Sequence, residues 1–190
     1  MAGLAPPGAG AHPALVNADV SALPVRDGAF DLVLAGHLLD LVPDRGRAVR
    51  ELRRVLAPGG TCVAVTTGAQ HLRSLRALVE RAVRVSTPGW SMSAPTGSAF
   101  TRENAAAQLG AAFREVTCVR AAEAGPVIIR EASAAGDYVS SLADHYQPQV
   151  ARPWRDVAGD VRQQVQAAID AQGEFHTAGD VAAFVCRGTL

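Results

Sequence analysis

The chain has 190 residues, enough for one domain, with 48% hydrophobic and 19% charged residues. Eighteen basic and eighteen acidic residues cancel, which removes any global electrostatic pull toward nucleic acid or an anionic membrane. Every basic residue is Arg, and no apolar run approaches the roughly 20 residues of a membrane span.

The first dozen residues, "MAGLAPPGAGAH", are rich in Gly, Pro and Ala and are expected to be poorly ordered. They lack the basic and apolar regions of a signal peptide, so a cytoplasmic location is the default expectation. "ALVNAD", residues 14–19, reads as a short strand. Pro24 and Asp27-Gly28 mark a turn. "FDLVLAG", residues 30–36, reads as a second strand, apolar throughout as in a sheet covered on both faces.

Residues 45–56 carry Val49, Leu52, Val55 and Leu56 at helical spacing, with Asp44 placed to cap the N-terminus. Arginines 45, 47, 50, 53 and 54 read as a solvated helix face, because no aromatic residues interleave with them. Pro58-Gly59-Gly60 closes the helix as a turn. A β-branched run at 61–67 is a third strand, and 71–85 a second helix with Leu72, Leu75, Leu78 and Val79 on one side. Strand, strand, helix, strand, helix indicates a layered α/β domain with parallel strands.

"STPGWSMSAPTGSAF" is a loop. Its Trp90 and Met92 either cover a pocket or tuck into the core. Thr101 opens a short helix, residues 113–121 and 126–130 are strand-like, 132–146 and 153–171 are helical, and 180–187 forms a last strand. No internal repeat or interdomain linker interrupts the chain, so residues 1–190 are read as one domain.

Chemistry is sparse. Cys62, Cys118 and Cys186 lack metal-ligand spacing and read as buried thiols of a reducing compartment. His12, His71 and His176 stand alone, as surface histidines do. Ser140, Ser141, Asp144 and His145 fall within about one helix turn, whereas a catalytic triad converges from separate elements. No nucleotide, zinc or hydrolase motif occurs, and no metal site is expected. The informative features are strand termini. Ligands of open α/β sheets bind beyond the carboxyl ends of the strands. Asp19 offers acceptor oxygens there, Gly36 allows close approach to backbone, and His37 projects an imidazole.

Residues 18–65 contain, in order, Asp19, "LPVRDGAFD", "LVLAGHLLDLVPD" and "LAPGG". This run resembles the central section of class I S-adenosylmethionine-dependent methyltransferases of the small-molecule type. The resemblance covers residues 14 to about 85. Later, "FTRENAAAQLGAAFREV" and "GDVAAFVCRG" are similar to the family's closing segments. It implies an incomplete Rossmann-like sheet with C-terminal helices and a terminal antiparallel strand pair. The family's first two strand–helix units, with their glycine-rich loop, have no counterpart here. They would need about 60 residues at ~30 per unit.

The resemblance implies S-adenosyl-L-methionine as cofactor and a small-molecule methyl acceptor. Asp19 would bond the adenine amino group and the Val20 backbone would contact the ring. Ala35 and Gly36 would line the methionine end. His37 would stand between cofactor and substrate as base or orienter, unless it only shapes the pocket. Leu38, Trp90 and Met92 would contact substrate, core packing being the alternative for the latter two. Two functions are carried forward: a methyltransferase that is truncated or completed by a second copy or a complementing chain, and a non-catalytic remnant that binds a partner. Exposed apolar edges at 14–19 and 30–36 are expected to drive association.

Overall fold

The computed structural model describes residues 14–92, 100–120 and 125–188. The expected disorder of residues 1–12 lies outside them.

Four strands form the main sheet: β1 (Phe30–Gly36), β2 (Leu56–Thr67), β3 (Glu115–Arg120) and β6 (Val181–Arg187), in the order β1-β2-β6-β3. β1 and β2 are parallel; β6 runs antiparallel to both β2 and β3. The sheet is therefore mixed, and β3–β6 is the terminal antiparallel pair. α1 (Arg45–Arg54) and α3 (Ala105–Leu109) cover one face. Val49 and Leu52 of α1 and Leu109 of α3 meet Ala35, Ala64 and Phe184 of the strands in one core cluster.

A second cluster joins α2 (Arg73–Arg84), α4 (Ala132–Ser141), α5 (Ala143–Tyr146) and α6 (Trp154–Gln172) with a small two-stranded antiparallel sheet of β4 (Val127–Ile129) and β5 (Phe175–Thr177). Trp154 anchors it: its indole N–H donates to the Val139 carbonyl at 2.6 Å and its ring stacks on Tyr146 at 5.4 Å. Thr177 of β5 accepts from the Ser74 N–H at 3.2 Å, satisfying an otherwise orphaned donor in the first turn of α2. β5 carried no sequence signal, being three residues inside a Gly-bounded turn.

Four expectations need correction. Cys118 is exposed, and only Cys62 and Cys186 are buried thiols. Residues 14–19 are not a strand. No neighbouring strand among the described residues offers them ladder partners, and Leu15 and Val16 lie in solvent. β1 is not covered on both faces: Val33 and Ala35 point into the core cluster, while Phe30, Leu32 (54% exposed) and Leu34 (70%) line an open face. Pro58-Gly59-Gly60 is not a separate turn but the irregular start of β2, where the β1–β2 register shifts. Gly59 has φ +80°, and a Cβ on Gly60 would meet the Ala57 carbonyl at 3.0 Å.

The arginine face of α1 also does more than meet solvent. Arg54 donates to the carbonyls of Val25 and Leu23 at 2.7 and 3.0 Å and pairs with Asp27 and Glu51. Arg47 donates to the Ser21 carbonyl at 2.8 Å, and Glu51 accepts from the Leu23 N–H. Together they strap the irregular segment 20–28 onto the helix, which positions Asp19 without a strand. Asp44 caps α1 as expected, accepting from the Arg47 N–H at 2.9 Å.

Candidate functional site

β1 and β2 end side by side. The ladder runs one residue past Gly36, where the His37 N–H donates to the Val65 carbonyl at 3.0 Å. His37 itself has φ +50°, a left-handed conformation that costs a non-glycine residue about 1–2 kcal/mol. It reverses the chain so that Leu38 and Leu39 return to the core while Asp40 is left at the sheet edge. Space is open where a Cβ would stand on Gly36.

A cavity of about 840 Å³ opens there, between the sheet edge and the helical cluster. Asp40 to Pro43, Thr67 to Ala69 and His71 form its sheet side. Arg76, Met92, Tyr138, Leu142, His145 and Tyr146 form its helix side. Apolar walls with a few convergent polar groups are the general character of small-molecule sites.

Behind its wall, the buried Thr66 hydroxyl lies 3.2 and 3.3 Å from the two Asp40 oxygens and 2.7 Å from the Phe100 carbonyl. Asp40 opens to the cavity on one side and packs against β2 on the other. Burial there raises its carboxyl above the usual range, against the opposing influence of His37 and Arg45. His71 is half-buried, not on the surface. Its Nδ1 accepts from the Asp180 N–H at 3.2 Å, which places the ring proton on Nε2, and burial lowers its affinity for a second proton. Asp180 in turn accepts from Arg102 Nε at 2.9 Å. Burial likewise raises the phenols of Tyr138 and Tyr146.

The residues singled out from sequence separate into four places. Ala35, Gly36, His37 and Leu38 form the β1 terminus, and the cavity wall begins two residues later, at Asp40. Met92 lines the cavity and bonds through its backbone: its N–H donates to Glu80 and its carbonyl accepts from Arg76. Trp90 lies in the helical core, edge-on to Tyr146 and Trp154. Asp19 and Val20 stand on the strapped segment before β1. Asp19 Oδ1 takes both Ser21 bonds, at 2.8 and 2.7 Å, and these hold its carboxyl below the ordinary value. Neither of those bonds uses Oδ2. An acidic acceptor and an open glycine suit the amino-bearing ring and flexible chain of a nucleoside-linked amino acid.

The hydroxyls of Ser140 and Ser141 bond to the carbonyls of Gly136 and Tyr138, so no triad forms there. Asp40, Thr66, His71, Arg76, Tyr138 and Tyr146 escaped sequence reasoning. Asp40 alone carried a signal, three residues after His37 in the quoted run. Among the described residues, no cluster of metal-ligating residues occurs and no helix is long and apolar enough to cross a membrane.

Comparison with known proteins matches residues 4–64 to a methyltransferase domain. The chain is 42% identical over 65 residues to a malonyl-[acyl-carrier protein] O-methyltransferase of Halorhodospira halophila, covering 34% of this chain and 22% of that protein. It is 45% identical over 58 residues to a demethylmenaquinone methyltransferase of Staphylococcus aureus, covering 30% and 24%. The chain thus spans about a quarter or less of the curated relatives it matches. Among solved structures, a putative methyltransferase from Bacillus halodurans superimposes with TM-score 0.51 at 14% identity, covering 93% of this chain and 78% of that one. Residues 4–64 are thus similar in sequence to a methyltransferase domain, and the described residues share the α/β fold of that solved structure.

Proposed function

We propose that the chain provides part of an S-adenosyl-L-methionine-dependent methyltransferase site acting on a small molecule. The observation that carries this reading is the placement of a mostly apolar cavity of about 840 Å³ immediately beyond the paired ends of β1 and β2. The methyltransferase-like segment, residues 4–64, contains β1 and its glycine-bearing end.

In this reading Asp19 Oδ2 accepts from the adenine amino group and Val20 backs the ring. Ala35 and Gly36 face the methionine end, and His37 orients the junction with the acceptor. Leu38 and Met92 shape the acceptor side, while Trp90 supports it from behind through Tyr146. When bound, the cofactor supplies an electrophilic methyl group on a positively charged sulfur. The protein's part is to hold the nucleophile in line and exclude water. The open face and free edge of β1 would receive the rest of the site, from a complementing chain or a second copy. That same face favours the second reading, a non-catalytic module that binds a protein partner.

Titration calorimetry with S-adenosylhomocysteine, followed by transfer of labelled methyl from S-adenosylmethionine to candidate acceptors, separates the two. Binding weakened by Asp19→Ala supports the enzyme reading. No binding by the chain, alone or with a complementing chain, leaves the partner-binding module.

A further inference from the structure

The Thr66 side chain is fully buried and has one proton to give. Its oxygen lies 2.7 Å from the Phe100 carbonyl, a group that can only accept. The hydroxyl proton therefore belongs on that short contact rather than on the longer ones to Asp40, at 3.2 and 3.3 Å. Thr66 Oγ1 then turns a lone pair toward Asp40. An ionised carboxylate meets that lone pair with repulsion; a protonated one donates into it. The inner side of Asp40 is thus complementary to the acid, and its outer side faces the cavity.

Positive groups set the opposing bias. Arg45, whose Nε donates to the Leu39 carbonyl at 3.1 Å, and His37 act on Asp40 from its own loop. His71 and Arg76 line the same cavity, as do Tyr138, His145 and Tyr146. Arg45 and His37 keep the ionised form accessible, so Asp40 can exchange a proton rather than hold one permanently.

We propose that Asp40 takes up the acceptor's proton during methyl transfer, that Thr66 and Phe100 fix that proton once it arrives, and that the acceptor is consequently a hydroxyl, phenol or N–H nucleophile rather than a thioether. This rests on the methyl-transfer reading above. The acceptor heteroatom forms a bond to the methyl carbon as the carbon–sulfur bond breaks. The sulfur leaves as a neutral thioether with that bonding pair, and the acceptor's proton passes to Asp40 and thence to solvent. The arrangement favours the state formed during the reaction over the one that precedes it, which is what accelerates a step.

The deciding experiment is titration of the chain labelled with carboxyl-¹³C aspartate, the Asp40 signal being assigned by its loss in Asp40→Asn. Replacing Thr66 by Val removes the lone pair and should lower the Asp40 midpoint by about half a unit or more; Thr66→Ser should restore it. An upward shift means that the hydroxyl had been donating to Asp40, and an unmoved midpoint means that it does neither; both overturn the proposal. If Thr66→Val fails to fold, Thr66→Ala reads the same quantity.

In methyl transfer to a hydroxyl acceptor, Asp40→Asn should reduce kcat by about 100-fold or more and abolish the acidic limb of the pH profile. S-adenosylhomocysteine binding should stay unchanged within about twofold. Transfer that survives in Asp40→Asn overturns the role of Asp40 alone. A wild-type chain that binds no cofactor, alone or with a complementing chain, overturns the methyl-transfer reading, and this role with it.

Discussion

Replacing Trp154 by Phe tests whether the helical cluster is held as the structure indicates. The indole is buried at the centre of α4, α5 and α6, donates to the Val139 carbonyl at 2.6 Å and stacks on Tyr146. Phenylalanine keeps the aromatic plane and loses the N–H. The Val139 carbonyl is not orphaned, because it still accepts from the Leu142 N–H at 3.1 Å, so the lost bond costs only about 1 kcal/mol. A few tens of Å² of apolar surface also leave the core, worth about 1 kcal/mol. Imperfect closure of the gap adds up to ~1 kcal/mol more. The expected loss is therefore about 2–3 kcal/mol. Urea unfolding measures it conveniently, since the variant leaves Trp90 as the only tryptophan, and Trp90 sits edge-on to the altered ring at 6.3 Å. A loss below about 0.5 kcal/mol, or unchanged Trp90 emission, would show that Trp154 is not the anchor of this cluster.

Further outcomes are expected from the sheet edge. His37→Gly should raise stability by about 0.5–1 kcal/mol, because glycine accepts φ +50° without strain but costs more chain entropy; a thermal melt showing lower stability than wild type would mean that the imidazole repays its strain. The folded-state midpoint of Asp40 is raised, so ionising it costs the fold nothing below the unfolded value and the full amount above the folded one. The stability of Asp40→Asn relative to wild type should therefore increase as pH rises through and above the ordinary carboxylate range; a flat difference across chemical denaturation curves contradicts the shift. Leu34→Lys places a charge on the open face of β1, next to an edge that Asp31 alone blunts. We expect the wild-type chain to associate at high concentration and this variant to sediment as a monomer; a monomeric wild type refutes it.

Local patterns made much of the fold legible. The helical spacing of Val49 and Leu52, the capping position of Asp44 and the β-branched run 61–67 specify their elements through neighbours three or four residues away, or two. Gly36-His37 could be recognised as a strand terminus because a buried strand seldom leads through glycine and a polar ring into more leucine. Such features depend on covalent spacing, and spacing is what a sequence records.

The tertiary structure decided what depends on distant partners. Residues 14–19 have strand-like composition, but a strand needs a neighbour, and the described chain provides none. Trp90 had two readings until Tyr146 and Trp154, more than 50 positions later, closed around it in the core. Asp40 and Thr66 lie 26 residues apart and meet only because β1 and β2 are parallel neighbours. His71 reads as an isolated imidazole until Asp180 donates to it across 109 residues. By itself the sequence determined the elements and the end of the sheet where a ligand would bind. The cavity, its titratable groups and the uncovered face of β1 arise from packing between segments whose separation along the chain carries no signal.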